Sequence, residues 1–246
     1  MKLNTIIQGD CLDVMKTMTT NSIDLVFTSP PYNLGNVKKN SFYANTSKPD
    51  TISYDVHNDD MSVDDYIKWQ HSIIKELQRL VKSTGAIFYN HKPRILKGIY
   101  DDRRNLIPCN IRQEIIWQRS CGINFCGSFF VPTTERIFII AGNDWKPNRE
   151  FVKYGEVWKV SHENNTPHPA PFPLKLAKMV IESSSTDGQI ILDPFAGSGT
   201  TCVAAELLNR KYIGIELSED YCNITRKRIQ EAEKISNQNT LEAFME

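Results

Sequence analysis

The sequence lacks any apolar run that approaches the roughly 18 residues needed to cross a membrane as a helix. Its first residues, MKLNTIIQGDCLDV, place no charged segment before an apolar core, so they predict no signal peptide. Neither charge is in excess, because 29 basic residues stand against 29 acidic ones. We therefore expect a cytoplasmic protein without a membrane partner. Nucleic-acid binding stays open, because a local basic patch can supply the necessary field.

Patterns of metal ligands are also missing. Cys121 and Cys126 are close in sequence but have no second Cys/His pair nearby, and the five histidines form no HExxH motif. The six cysteines are scattered through the chain, which is typical of reduced thiols rather than of a disulfide framework. The sequence predicts no metal site.

Apolar runs alternate with stretches of helical periodicity along the chain. This alternation predicts an α/β fold with a mostly parallel twisted sheet flanked by helices. Ser62 is expected to cap the second helix and Gly85 to end it. The predicted strands cover residues 4–8, 23–28, 86–90, 111–118, 135–141, 189–193 and 212–216, and the predicted helices lie near 11–18, 63–83, 173–183 and 200–208 and beyond Ser218.

The chain shows no internal repeat and no low-complexity linker, so we expect a single domain over residues 1–246. Residues 33–60 are polar and aperiodic, and a loop of this length in a compact domain is usually mobile or functional. Residues 142–170 are predicted to be irregular, and the tail over 236–246 is predicted to fray.

The stretch FTSPPYNLG, residues 27–35, follows an apolar run. Proline fixes its own φ and pushes the preceding residue towards extended geometry, so the segment predicts a stiff elbow just past a strand. We call Ser29–Tyr32 the elbow. Taken alone, Ser29 could be an ordinary turn former and Tyr32 a core aromatic residue.

The stretch ILDPFAGSGTT, residues 191–201, predicts a strand, a turn and the start of a helix near Thr200. We call residues 193–199 the glycine turn, because Gly197 and Gly199 allow a ligand to approach the backbone closely. Glu216 closes the next predicted strand, where a carboxylate can accept hydrogen bonds from ribose hydroxyls. No lysine follows the second glycine, which excludes a phosphate-binding Walker loop. Cys202 replaces the third glycine of a dinucleotide motif, so S-adenosylmethionine fits better than NAD, although a plain tight turn stays open.

Together, TSPPY and DPFAGSGTT resemble the amino-group DNA methyltransferases, which modify N4 of cytosine or N6 of adenine. The catalytic motif precedes the cofactor motif, which is the order of the beta class. GDCLD (9–13), FFVPTTERIFI (129–139) and HPAPFPLKLAKMVI (168–181) lie where that class has further motifs. The resemblance implies a Rossmann-like class I methyltransferase domain with permuted motif order. Its parts would be a catalytic half (1–141), a short target-recognition segment (142–170) and a cofactor-binding half (171–235).

The resemblance also implies roles for the elbow. The Ser29 side chain and the Pro30 carbonyl would accept the two hydrogens of the target amino group, and Pro31 would stiffen the backbone. Tyr32 would stack on the base, which must be flipped out of the duplex. The cofactor pocket would be lined by Asp10, Phe172, Asp193, Phe195, Gly197, Gly199, Thr200 and Glu216. Asp10 could equally cap the first helix, and Phe172 could belong to the core.

The residue before the two prolines bears on the choice of base. In this family serine occurs more often with N4-cytosine and aspartate with N6-adenine, so Ser29 favours cytosine and leaves adenine as the alternative. The expected function is a DNA methyltransferase that uses S-adenosylmethionine, forms the modification half of a restriction–modification system and works beside a cognate endonuclease. A protein-glutamine methyltransferase and a non-catalytic DNA-binding module are weaker alternatives.

Double-stranded DNA is the expected partner, and residues 92–119 supply a candidate contact surface, with seven basic against three acidic side chains. A solvated surface with loose ion pairs is the alternative. The short target-recognition segment predicts either a brief target site or a homodimer that extends the contact. The candidate phosphate contacts are Lys38, Lys39, Arg103, Arg104 and Arg119.

Overall fold

The computed structural model describes residues 1–33, 60–96, 98–119, 130–161 and 172–243, with the side chains of residue 96 and of residues 235–243 left out. The strands are β1 (Thr5–Gln8), β2 (Ile23–Thr28), β3 (Val81–His91), β4 (Arg94–Leu96), β5 (Ile99–Asp101), β6 (Gln113–Gln118), β7 (Thr134–Ala141), β8 (Val157–Lys159), β9 (Ile190–Asp193) and β10 (Lys211–Glu216). The helices are α1 (Cys11–Lys16), α2 (Val63–Leu80), α3 (Leu174–Ser184), α4 (Thr200–Leu207) and α5 (Glu219–Ala243), with a 3-10 turn at Arg104–Leu106.

Eight of these strands form one sheet in the order β1-β10-β9-β2-β3-β7-β6-β8. The first five are parallel to one another, and β7 runs antiparallel between β3 and β6. The remaining edge pair, β6 and β8, is parallel. The predicted α/β class with a mostly parallel sheet is therefore confirmed.

Helices cover both faces of the sheet, as a parallel sheet requires. On one face α3, α4 and α5 bury residues such as Leu176, Val180 and Ala204 against Leu25 and Phe27 of β2. On the other face α1 and α2 pack Met15, Ile73 and Leu77 against Val26 of the same strand. Because β2 is buried on both faces over its whole length, its carboxyl end is a rigid platform for the residues that follow.

The two motifs meet because β2 and β9 are neighbours in the sheet, with Leu25 opposite Ile191 and Val26 opposite Leu192. Parallel strands end at the same edge, so the elbow after β2 and the glycine turn after β9 come together. A hydrogen bond of 2.7 Å from Thr28 Oγ1 to Asp193 Oδ1 joins the two strand ends directly.

The prediction that Gly85 ends the second helix is wrong. Ser62 caps α2 as expected, through a 3.1 Å bond from the Asp65 amide to Ser62 Oγ, but the helix ends at Leu80 and Gly85 lies inside β3. A Cβ on Gly85 would lie 2.5 Å from the carbonyl oxygen of Asp24. The glycine is needed for the close approach of β2 and β3, not for a helix terminus.

Three other segments carry more regular structure than the sequence indicates. The segment 142–170, predicted to be irregular, contributes β8 at the sheet edge, where Trp158 is buried. Two short strands, β4 and β5, form a hairpin within the basic stretch. Helix α5 continues to Ala243, so most of the predicted frayed tail is helical. No described helix combines the length and the apolar character that a membrane-spanning segment needs.

Candidate active site

The elbow is held on both sides by aromatic residues of neighbouring elements. Tyr66, on the buried face of α2, donates a 2.7 Å hydrogen bond to the carbonyl of Pro31. The ring of Tyr32 lies 4.5 Å from that of His91, at the end of β3, with an interplanar angle of 31°. One face of Tyr32 is thus occupied by His91.

The polar atoms of the elbow form a network with two strands that sequence reasoning did not connect to it. Ser29 Oγ lies 2.8 Å from the Tyr32 hydroxyl, which donates to Glu135 Oε2 at 3.2 Å. The amide nitrogen of Asn90 lies 3.0 Å from Glu135 Oε2, 3.0 Å from the Tyr32 hydroxyl and 3.3 Å from Ser29 Oγ. Arg119 pairs with the second oxygen of Glu135 at 3.4 Å.

Asn90 and Glu135 were missed as functional residues, yet a signal for them exists in the sequence. Both are polar residues within predicted buried strands, 86–90 and 135–141, and a buried polar side chain needs a partner. Asn90 is 1% exposed and Glu135 is 6% exposed. What the sequence does not contain is the strand order, which places β3 beside β2 and β7 beside β3.

Protonation states in the elbow follow from burial. Burial and the nearby Glu135 carboxylate raise the pKa of Tyr32 well above its usual range, so its hydroxyl keeps its hydrogen. Burial and the charge of Arg103 lower the pKa of His91 to about 3, so the imidazole is neutral at physiological pH. The elbow therefore contains the neutral phenol of Tyr32, which packs on the neutral imidazole of His91 and donates to Glu135.

The glycine turn is held by backbone amides that bind Glu216 and by side-chain donors from α5. Glu216 Oε2 accepts a 2.8 Å bond from the Gly197 amide, and Oε1 accepts a 2.9 Å bond from the Ser218 amide. Thr225 Oγ1, from α5, donates to the Gly197 carbonyl at 2.8 Å. Burial raises the pKa of Glu216 above its usual range.

Gly199 is required by the fold as well. Its φ of +80° is unfavourable for other residues. A Cβ there would lie 2.2 Å from Thr225 Cγ2, so a side chain of α5 also demands a glycine at this position, and the predicted close approach of a ligand stays a prediction.

Asp193, the first residue of the glycine turn, connects the turn to the end of β2. Besides the Thr28 hydroxyl, its Oδ1 accepts a 3.1 Å bond from the Phe195 amide. Burial raises the pKa of Asp193 to about 6, although these hydrogen bonds act in the opposite direction. A buried carboxylate that is this close to neutralisation is well suited to a cationic ligand.

The other predicted cofactor residues are distributed around the same sheet edge. Asp10 caps α1 by accepting bonds from the amides of Leu12 and Asp13, which agrees with the alternative reading of that residue. The ring of Phe172 packs 4.5 Å from that of Phe27, and Phe195 lies 5.7 Å from Trp69 of α2. Thr200 opens α4, with its Oγ1 3.4 Å from Arg228.

These residues fit S-adenosylmethionine. Each carboxylate oxygen of Glu216 has accepted one amide hydrogen and retains a lone pair for a ribose hydroxyl. Asp193 supplies negative charge beside the turn, which suits the cationic sulfonium and ammonium groups. The elbow, joined to Asp193 through Thr28, is next to the place where a methyl donor would lie.

Two of the predicted phosphate contacts are not on an open surface. Arg103 is 2% exposed, pairs with Asp101 at 2.7 Å and lies 5.2 Å from the Tyr66 ring, so it supports the residues behind the elbow. The side chain of Arg119 is 11% exposed and pairs with Glu135. Arg104 is 58% exposed and remains a candidate. Lys38 and Lys39, with most of the predicted loop 33–60, lie outside the described residues.

Comparison with known proteins identifies relatives over nearly the whole chain. The model of the N6_N4_Mtase family, described as DNA methylase, matches residues 23–227. The type II methyltransferase M.HinfI of Haemophilus influenzae is 30% identical over 93% of this chain and 69% of its own length. The DNA adenine methyltransferase YhdJ of Escherichia coli K12 is 28% identical over 94% of this chain and 84% of its own length.

Solved structures share the fold. The cytosine-N4-specific PvuII DNA methyltransferase superposes with a TM-score of 0.73 at 19% identity, over 95% of this chain and 91% of that one. TTHA0409 of Thermus thermophilus, solved with S-adenosyl-L-methionine, superposes with a TM-score of 0.68 at 21% identity, over 93% of both chains. The expected class I methyltransferase fold and its cofactor are confirmed. The chain belongs to the N6_N4_Mtase family of DNA methylases and is a DNA amino-methyltransferase that uses S-adenosylmethionine.

Proposed function

We propose that the elbow is the place of methyl transfer and that its acceptor is the N4 amino group of cytosine. The observation that carries this proposal is the 2.7 Å bond between Thr28 and Asp193, which fixes the elbow against the glycine turn. A base amino group held at the elbow would then face a methyl group held at the turn.

The residues of the chain act by position rather than by forming a covalent intermediate. S-adenosylmethionine supplies a methyl group on a positively charged sulfur. The lone pair of an exocyclic amino group is conjugated with the base, so it must be drawn out of the ring plane before it can attack. Ser29 Oγ and the Pro30 carbonyl would each accept one hydrogen of that group, which directs its lone pair at the methyl carbon. The new N–C bond would replace the S–C bond, S-adenosylhomocysteine would be the leaving group, and the methylated nitrogen would release one of its hydrogens to water as a proton.

The choice of cytosine rests on Ser29, because a serine at this position is more often found with N4-cytosine in this family. Adenine is the second candidate, since YhdJ, with 28% identity, is named as an adenine methyltransferase. Both bases present an exocyclic amino group beside a ring nitrogen, so the same acceptors can serve either one.

The identity of the methylated base tests the proposal. The protein is incubated with unmethylated genomic DNA and S-adenosylmethionine, and the digested nucleosides are analysed by mass spectrometry. We expect N4-methylcytosine, and we expect it to disappear in a Ser29→Ala variant that still binds the cofactor. N6-methyladenine would overturn the choice of base while retaining the site.

Duplex DNA is expected to meet the surface that carries Arg104, whose side chain is 58% exposed although it pairs with Glu114 at 3.1 Å. The paired restriction endonuclease, the homodimer and the target-recognition role of residues 142–170 stay predictions from the sequence. M.HinfI is named as a type II methyltransferase, which supports a restriction–modification role.

A further inference from the structure

Glu135 is a buried carboxylate outside both sequence motifs, yet it lies within the polar network of the elbow. It is on β7, two strands away from the elbow strand β2 in the sheet order, and is 6% exposed. Its two oxygens are used differently. Oε1 faces Arg119 at 3.4 Å, whereas Oε2 accepts from Tyr32 and Asn90.

The hydrogen-bond directions in this network are fixed by Glu135. An ionised carboxylate can only accept, so the Tyr32 hydroxyl must give its single hydrogen to Glu135 Oε2. The Tyr32 oxygen is then an acceptor at 2.8 Å from Ser29, and the Ser29 hydrogen is directed to it. The chain of donors therefore runs from Ser29 to Tyr32 to Glu135.

Asn90 is oriented by the same carboxylate. Its amide group has two hydrogens and three acceptors in reach, of which Glu135 and Tyr32 at 3.0 Å are closer than Ser29 at 3.3 Å. The contact of Asn90 with Ser29 Oγ uses one of the two lone pairs of that oxygen. The other lone pair of Ser29 Oγ is thus left for an incoming donor.

We propose that Glu135 is a positioning residue for methyl transfer, which acts through Tyr32 to present a lone pair of Ser29 Oγ to the amino group of the target base. This inference rests on the proposed function of the elbow. A hydroxyl accepts more weakly than the carboxylate that other family members have before the two prolines. Here the negative charge is that of Glu135, and the Tyr32 hydroxyl lies between it and Ser29. The charge polarises the Ser29 hydroxyl through this Tyr32 bridge.

A purely structural role for Glu135 is the competing explanation, because the carboxylate also neutralises the nearly buried Arg119. Such a role predicts lower stability when the charge is removed. It does not predict that the effect depends on the Tyr32 hydroxyl or on the residue at position 29.

The first test compares the steady-state methylation of duplex DNA by Glu135→Gln and by the wild-type protein. We expect kcat to fall about 10- to 100-fold, since small errors in acceptor orientation are costly, with the Kd for S-adenosylmethionine unchanged. Glu76→Gln is the matched control, because Glu76 also pairs with an arginine, Arg79 at 2.9 Å, on α2. The control is expected to retain the wild-type kcat.

Tyr32→Phe provides a second route that keeps the Glu135–Arg119 pair intact. It removes the bridging hydroxyl but keeps the ring on His91, and should lower kcat to a similar extent. The double variant should be no slower than the slower single variant, because both changes break the same chain. Multiplicative losses, or a wild-type kcat in both single variants, would overturn the proposal.

A carboxylate placed at position 29 should remove the need for Glu135. In a Ser29→Asp background, adding Glu135→Gln is expected to change kcat less than threefold. A loss as large as in the serine background would refute the inference. Failure of the elbow itself has a different signature, namely a Ser29→Ala variant that methylates at the wild-type rate.

Discussion

The elbow and the glycine turn occupy the ends of adjacent parallel strands, but they are stabilised in opposite ways. At the glycine turn, Glu216 binds two backbone amides within 19 residues of itself in sequence. At the elbow, Glu135 binds side chains from residues 45 and 103 positions away. The carboxylate at the turn binds backbone amides close to it in sequence, with added donors from Thr225 and Arg228 of α5. The elbow instead depends on side chains that only the assembled sheet brings together.

This difference matters for the chemistry of each region. A cofactor pocket needs a fixed backbone contour, which glycines and a nearby carboxylate supply locally. An acceptor for an amino group needs hydroxyl hydrogens directed away from the substrate, and that requires a chain of partners. The comparison predicts that substitutions in the elbow reduce kcat, whereas those in the turn reduce cofactor affinity and stability.

The largest expected effect comes from Ser29→Ala. Loss of one acceptor for the amino group should lower kcat about 10²- to 10³-fold, as for loss of other preorganised polar groups in active sites. The Kd for S-adenosylmethionine should not change, because the glycine turn is intact. Steady-state kinetics measures kcat, and equilibrium binding measures the Kd for S-adenosylmethionine. A loss of both kcat and cofactor affinity would contradict separate roles for the elbow and the glycine turn.

The glycine turn should respond to Gly199→Ala in stability. The new Cβ would meet Thr225 Cγ2 at 2.2 Å and hold a φ of +80°, so we expect a loss of about 1–3 kcal/mol in the free energy of unfolding. Urea denaturation measures this loss. Thr225→Ser removes the crowding methyl group and should restore part of the stability in the double variant; no recovery would show that the crowding is not the cause.

Cofactor affinity should depend on pH through Asp193. Because burial raises the pKa of Asp193 to about 6, the carboxyl is protonated below that pH and must lose its proton to hold a cation. The Kd should therefore rise as pH falls below about 6, by up to about tenfold per pH unit. Because burial raises the pKa of Asp193 in the folded protein, the free energy of unfolding should fall as pH rises from about 4 to 6.

The matched control for this pH effect is Asp193→Asn. The variant should bind S-adenosylmethionine more weakly at pH 7.5, with little further change down to pH 5.5. Isothermal titration at several pH values distinguishes the two proteins. A wild-type Kd that does not vary between pH 5.5 and 7.5 would contradict the assignment of Asp193 as a contributor to cation binding.

The smallest effect is expected outside both regions. Arg104→Ala should weaken DNA binding uniformly across sequences and reduce the salt slope of log K by about one. Arg112→Ala on the same stretch is a comparison for nonspecific charge. An unchanged salt slope in the Arg104 variant would show that Arg104 does not contact a DNA phosphate.

The sequence predicted the glycine turn well because its determinants are close together along the chain. The strand that ends at Asp193, the start of α4 at Thr200 and the closure of β10 by Glu216 all lie within one β-α-β unit. The crowding of Gly199 by a side chain of α5 could not be predicted, because Thr225 lies more than 20 residues further along the chain and only the fold brings it against the turn.

The elbow could be predicted only in its backbone. Two prolines after a buried strand indicate a stiff segment, and β2 ends at Thr28, directly before the elbow. Asn90, Glu135 and Tyr66 could not be assigned to it, because their proximity depends on strand order and on the packing of α2. Arg103 and Arg119 were assigned to DNA on charge alone, which does not indicate whether a charge is exposed or paired internally.

In the proposed site, the elbow accepts the target amino group while its hydroxyl hydrogens are directed towards Glu135. The most direct measurement is a crystal structure of the protein with S-adenosylhomocysteine and a duplex that contains the target site. We expect a flipped base whose amino nitrogen lies within about 3.2 Å of both Ser29 Oγ and the Pro30 carbonyl oxygen, without touching Glu135. An amino group bound directly by Glu135, or held away from Ser29, would contradict this expectation.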